Sequence, residues 1–119
     1  MIYVKINDNF YPAIISGKMN DKEWDGRPSK SIKLEMDYVD AIATWVEGAV
    51  WSIVSKDIIT EMEMDEEGNP VYHEVEPVEE YDNSDYSVAG DIIDHRDGTI
   101  TVKMGKLTEL ETVLEMLLM

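Results

Sequence analysis

Along most of this chain apolar and polar residues take turns, and the alternation breaks where Gly, Asn, Asp and Pro gather. In IYVKI (2–6), Ile2, Val4 and Ile6 fall on one side and Tyr3 and Lys5 on the other, which predicts a strand. NDN (7–9) is turn chemistry. FYPAIIS (10–16) predicts the return strand of a hairpin, with Pro12 assigned to an edge or bulge because it has no N–H to donate. GKMNDKEWDGRPSK (17–30) is polar and turn-rich and predicts a long excursion, in which Trp24 lays its ring on the domain.

SIKLEM (31–36) alternates again, with Ile32, Leu34 and Met36 inward, and Asp37 is placed to cap a helix. In that helix, predicted at about 38–47, Val39, Ile42, Ala43 and Val46 recur at helical spacing, with Tyr38, Ala41 and Trp45 flanking them. Gly48 is placed to end it, and AVWSIVS (49–55) predicts a strand with Trp51 and Ile53 on one face. DIITEMEM (57–64), the turn DEEGNP (65–70) and VYHEVE (71–76) predict a further hairpin, and EPVEEYDNSD (76–85) reads as a loop. YSVAGDIID (86–94) and TITVKM (99–104) predict two strands joined at Asp97-Gly98, with Gly90 marking a bulge or a close backbone approach. The last helix is predicted at 109–118. Thr108 and Glu111 form a capping box, and Leu110, Val113, Leu114, Leu117 and Leu118 make one apolar stripe. SIKLEMD and TITVKMG echo one another, each ending in Met just before a helix.

The fold class is therefore α+β: a mostly antiparallel sheet of β-hairpins with two helices packed on one face. The 119 residues suit a single domain, 1–119, from which an acidic hairpin or flap extends at about 57–80. Without cysteine, disulfides, thiolate metal sites and cysteine nucleophiles are excluded. No basic leader followed by a long apolar run is visible, and no apolar stretch has the ~20 residues of a membrane span, so a cytoplasmic protein is expected.

Charge changes the picture more. The net charge is -16, from 26 acids and ten bases. Residues 1–60 hold seven bases and nine acids, whereas 61–119 hold three bases and seventeen acids. From Glu61 to Asp85 there are eleven acids and no Lys or Arg. Such a surface repels phosphate backbones and anionic lipid, so neither nucleic acid nor membrane is an expected partner. It fits a solvated face, a cation site or a surface for a basic protein. The candidate interaction residues are Glu61, Glu63, Asp65, Glu66, Glu67, Glu74, Glu76, Glu79 and Glu80.

No motif specifies a reaction. HRD (95–97) matches the core of a kinase catalytic loop but lacks the following Asn, the Gly-rich loop and the strand lysine. Asp91 and Asp94 would point to opposite faces of a strand, so DIIDHRDG reads as a turn between strands. Neither DEEGNP nor YDNSDY fits an EF-hand, and Asp82, Asn83 and Asp85 are ordinary turn formers. His73 and His95 have no neighbour at zinc-ligand spacing. No catalytic residue, metal ligand or cofactor is assigned, and the protein is expected not to be an enzyme. Trp24, Trp45 and Trp51 are assigned mainly to the core. Met116 and Met119 lie beside or beyond the leucine stripe, where a second subunit could cover them.

KEWDGRPSKSIKLEM, then WSIV, then YSVAGDIIDHRDGTITVKMGK resemble small uncharacterised proteins encoded in prophages of Gram-positive bacteria. The similarity spans most of the chain, with 61–80 the least matched part. It implies a phage context among virion or tail-region genes and carries over no functional residue. The expected function is a non-enzymatic, phage-derived structural or protein-interaction protein with an acidic docking surface. Its partner would be a basic protein or a second copy in a homodimer. The alternative is an acidic DNA mimic that inhibits a nucleic-acid-binding enzyme.

Overall fold

A computed structural model describes residues 1–118. Met119, assigned above to a subunit contact, lies outside the described residues. The fold is α+β and mostly antiparallel sheet. Strands β1 (Ile2–Ile6), β2 (Asn9–Asp21), β3 (Arg27–Glu35), β4 (Trp51–Lys56), β7 (Val78–Asp82), β8 (Val88–Asp94) and β9 (Thr99–Gly105) form one sheet in the order β7-β4-β1-β2-β3-β9-β8. β5 (Ile59–Met64) and β6 (Pro70–Val75) form a second sheet of two strands. Helix α1 (Tyr38–Thr44) follows β3 and helix α2 (Glu109–Leu117) follows β9. The two echoing segments thus become antiparallel neighbours in the sheet, each leading into a helix.

Period-two alternation gives the sheet an apolar inner face. Val4, Ile6, Ile32, Leu34, Ile100, Val102 and Met104 are buried on it, and Ala41 of α1, Trp45 at its C-cap, Ala49 and Trp51 of β4 join the cluster. β2 is the member that lets the sheet curl. Its residues up to Pro12 pair with β1 and those from Ala13 onward pair with β3. Pro12 is therefore neither at an edge nor in a bulge, but where the strand changes partners and a missing N–H costs least. The curl is closed at Trp51. Its ring meets Trp45 edge to face at 5.4 Å, and its Nε1–H donates to the Tyr86 carbonyl at 3.0 Å. The Trp51 carbonyl accepts from the Asn83 N–H. One side chain thereby joins β4, α1 and the segment that runs from β7 to β8.

The structure departs from the sequence reading in three segments. The polar stretch 17–30 is no loose excursion: β2 continues to Asp21 and β3 begins at Arg27, around a short 3-10 turn at Lys22–Trp24. Residues 78–82, read as loop, form the edge strand β7 against β4. α1 ends at Thr44, short of the expected 47, and the positions that bury are the flanking Ala41 and the C-cap Trp45, while Val39 stays 76% exposed and Ile42 and Val46 are also exposed. The helix is two turns long, and the large indole decides which side faces the sheet.

The strand pair β4–β7 runs on beyond the main sheet. Lys56 pairs with Val78, and Ile59 pairs with Val75 in the same register. β4–β7 and β5–β6 are therefore one hairpin, interrupted only at residues 57–58 and 76–77, where Pro77 has no N–H to give. Beyond Lys56 the arm runs about 27 Å at the usual ~3.4 Å per residue. Its projection accounts for a radius of gyration of 19.1 Å, against ~13.5 Å for a compact chain of this length.

Replacing Trp51 by Ala is expected to cost about 3–5 kcal/mol in chemical denaturation, the range for deleting a large buried aromatic. A loss below about 1 kcal/mol would show that Trp51 does not close the sheet.

Candidate interaction surface

The candidate residues divide into two groups. Glu61, Glu63, Asp65, Glu66, Glu67 and Glu74 lie on the projecting arm, and Glu76 lies at its joint with the sheet. Glu79 and Glu80 lie on β7 within the main sheet. Every residue of β5 is exposed, and so are most of β6. The run of acids is thus continuous in sequence but falls on two structural units.

Register assigns the arm two unlike faces. On one, Glu61 lies opposite His73, and Glu63 lies opposite Val71. His73 Nε2 stands 3.8 Å from a carboxylate oxygen of each glutamate. On the other face Met62 pairs with Tyr72 and Met64 with Pro70, flanked by Thr60 and Glu74. These apolar side chains remain in solvent, with Met62 56% and Tyr72 66% exposed. At the tip, Asp65 Oδ1 accepts from the N–H groups of Glu67 and Asn69. Asp65 therefore shapes the turn, which leaves Glu66 and Glu67 to project.

On β7, Glu80 approaches Lys5 at 3.4 Å, and Glu79 accepts from the Tyr81 hydroxyl at 2.6 Å. That second bond raises the Tyr81 pKa, because the neighbouring carboxylate opposes formation of a phenolate. Charged side chains on an edge strand also oppose unplanned strand pairing.

DIIDHRDG has structural roles. Asp94 accepts from the Arg96 N–H, and Asp97 accepts from both the N–H and hydroxyl of Thr99. The Thr99 hydroxyl and N–H hold the Asp97 carboxyl below its ordinary range. His95 is hydrogen-bonded to Thr101. Among the described residues no group of three or more His, Asp and Glu side chains is arranged to hold a metal.

Sequence reasoning missed a polar cluster on the outer face of the sheet. Asp21 is buried, yet its carboxylate accepts from Lys103, Ser29 and the Glu23 N–H. These partners, Lys103 foremost, hold its pKa low despite burial. The Trp24 ring lies between Arg27 and Lys103, with the guanidinium carbon 5.0 Å and the ammonium 5.5 Å from its centroid. Gly90 and Gly105 make room for that ring: a Cβ at Gly90 would come within 2.8 Å of Trp24 Cη2, and one at Gly105 within 2.8 Å of Trp24 Cζ3. The close approach signalled by Gly90 and the tucked Trp24 are thus one feature. Spacing alone could not bring in Asp21, Arg27 and Lys103, which lie in different strands.

Arg27 also anchors α2. Its guanidinium donates to Glu111 at 2.7 and 3.2 Å and to the Lys106 carbonyl at 2.7 Å. Glu111 simultaneously closes the predicted capping box with Thr108. The Arg27 pairing, helped by the Thr108 N–H, lowers the Glu111 pKa to about 2. No residue of α2 is buried, and Leu117 of its apolar stripe is 75% exposed.

Among the described residues no helix is long and apolar enough to cross a membrane. Comparison with family models, with curated proteins and with solved structures gives no match.

The Glu111 shift fixes a pH window. With its pKa at about 2 when docked and near ~4.3 when released, the Arg27–Glu111 pairing stabilises α2 docking fully above the higher value. That contribution declines as pH falls and is gone once pH passes the lower value. A carboxyl-carbon NMR titration should give Glu111 a midpoint near 2 and a higher one in Arg27→Gln. An ordinary midpoint in the wild type would show that the pairing does not persist in solution.

Proposed function

We propose that this chain is a non-enzymatic, phage-derived structural or protein-interaction protein, and that the β5–β6 arm is its docking element. One observation carries the reading: six of the eleven acids in the base-free run lie on a two-stranded hairpin that projects from the sheet with both faces in solvent. An isolated two-stranded ribbon is marginally stable in water, so a partner that covers it supplies what the fold leaves unmade. Glu61, Glu63, Glu66, Glu67, Glu74 and Glu76 favour a basic protein surface.

Met62, Tyr72, Met64 and Pro70 separate the proposal from its alternative. A DNA mimic presents rows of carboxylates to a site built for phosphates. An arm with an apolar face between its acids suits a protein surface that offers both cations and apolar side chains. Glu79 and Glu80, on the main sheet, take a lesser part than the arm. The expectation that both helices pack on one face carries into this proposal only for α1. α2, held at its first turn by Arg27, keeps its stripe in solvent.

The test is calorimetric titration with a lysine oligomer at low salt. Changing Glu61, Glu63, Glu66 and Glu67 to Gln should weaken binding about tenfold, because short-range complementarity adds to the overall field. Removing four charges elsewhere, at Glu35, Asp40, Asp91 and Glu115, should have a much smaller effect. Equal losses from the two variants would reduce the arm to a share of the net charge and remove the proposal.

A further inference from the structure

The outer face of the sheet and one face of the arm form a single strip. Residues 52, 54 and 56 of β4 lie on the outer face, where Val54 is covered, and the register shared across the gap carries the same side of the hairpin to residues 60, 62 and 64. Twist turns the ribbon but does not exchange its faces. The base of the strip is aromatic and basic. Lys56 lies 4.1 Å from the Phe10 ring centroid and 5.2 Å from that of Tyr3, and Lys5 also stands over Phe10. Farther along, Ile14 is 72% exposed beside its register partner Lys33. Among the described residues neither Lys33 nor Lys56 forms an ion pair, although the chain has a net charge of -16. The acids at this base are already engaged: Glu80 stands 3.4 Å from Lys5, and Asp57 accepts from the N-terminal ammonium at 2.7 Å. The far end of the strip is apolar and acidic: Met62, Tyr72 and Met64, with Glu74 beside them and Glu66 and Glu67 at the turn.

A strip with cations and rings at one end, and acids and exposed apolar side chains at the other, is complementary to itself when reversed. We propose that two copies of this chain pair about a twofold axis through this strip, the arm tip of each lying on the Lys33–Lys56 base of the other. The twofold arrangement uses both contacts at once and closes, as an isologous interface must. Met62 and Tyr72 then rest against Phe10 and Ile14 of the second copy, while Glu67 and Glu74 face its unpaired lysines. The charge reversal along the strip selects the antiparallel arrangement, because a parallel one sets acids against acids. This inference rests on the arm being a docking element and names the basic surface it takes.

Sedimentation velocity tests it with two variants and their mixture. The wild type should sediment as a dimer at tens of micromolar protein and low salt, and shift toward monomer at about 0.5 M salt, where the screening length falls to a few ångströms. Lys33→Glu with Lys56→Glu makes the base acidic, and Glu67→Lys with Glu74→Lys makes the tip basic. Each variant alone should be monomeric. Mixed in equal amounts they should give a heterodimer, because both of its contacts are again between opposite charges. Circular dichroism melts check that each variant is folded, and Lys33→Gln with Lys56→Gln replaces the base variant if it is not, with weakened pairing as the expected result. A folded wild type that stays monomeric at low salt overturns the pairing. So does a dimer that survives in both charge-reversed variants, or a mixture that stays monomeric. If lysine oligomers still bind through the arm in any of these cases, the docking reading stands and only the second copy is wrong. If arm acids are irrelevant to lysine oligomers as well, both fall.

Discussion

The architecture depends on Trp51. A seven-stranded antiparallel sheet has two free edges and, when curled, an apolar interior that must be shut. Here β7 and β8 are the edges, and the segment between them crosses the opening. Trp51 receives that crossing: its indole donates to Tyr86, its carbonyl accepts from Asn83, and its ring abuts Trp45 of α1. Burial of one large ring thus fixes where α1 sits and holds the edge-to-edge connection.

A second constraint is the shortage of bases. Among the described residues, six of the ten lysines and arginines lie over aromatic rings: Lys5, Arg27, Lys30, Lys56, Lys103 and Lys106. Their aliphatic stems cover ring faces while their charges stay near water. Lys30 feels the cost of this placement, since desolvation lowers its pKa. Lys106 has the opposite shift, because Asp85 holds its proton in a hydrogen bond. The cations are spent mostly on the body of the fold, and none is on the arm, which makes the arm different in kind from the rest of the surface.

Much of the fold was legible because alternation is a strong signal wherever one side of a strand is buried. IYVKI, SIKLEM and TITVKM lie on strands with Val4, Ile6, Ile32, Leu34, Ile100, Val102 and Met104 inward as expected, although Ile2 at the start of β1 is exposed and Met36 falls past the end of β3. The Thr108–Glu111 capping box is formed as the sequence indicated. Segment 17–30 was opaque because its strands are polar on both sides, held by the remote pairing of Asp21 with Ser29 and Lys103. β7 was opaque because its ladder to β4, not its composition, makes it a strand. The acidic hairpin was legible as a hairpin, but its common register with β4–β7 appears only once the pairings are known. That register separates Glu79 and Glu80 from the other candidate residues while keeping all of them on one long ribbon.

The two-residue gap at 57–58 and 76–77 gives that ribbon a mechanical character. Two hydrogen-bonded ladders share one register but are not bonded to each other across the gap, so the hairpin is a lever with a joint at Pro77. The arm is therefore tied to the body by its two chain crossings and by Asp57, which accepts from the N-terminal ammonium, and not by a continuous ladder.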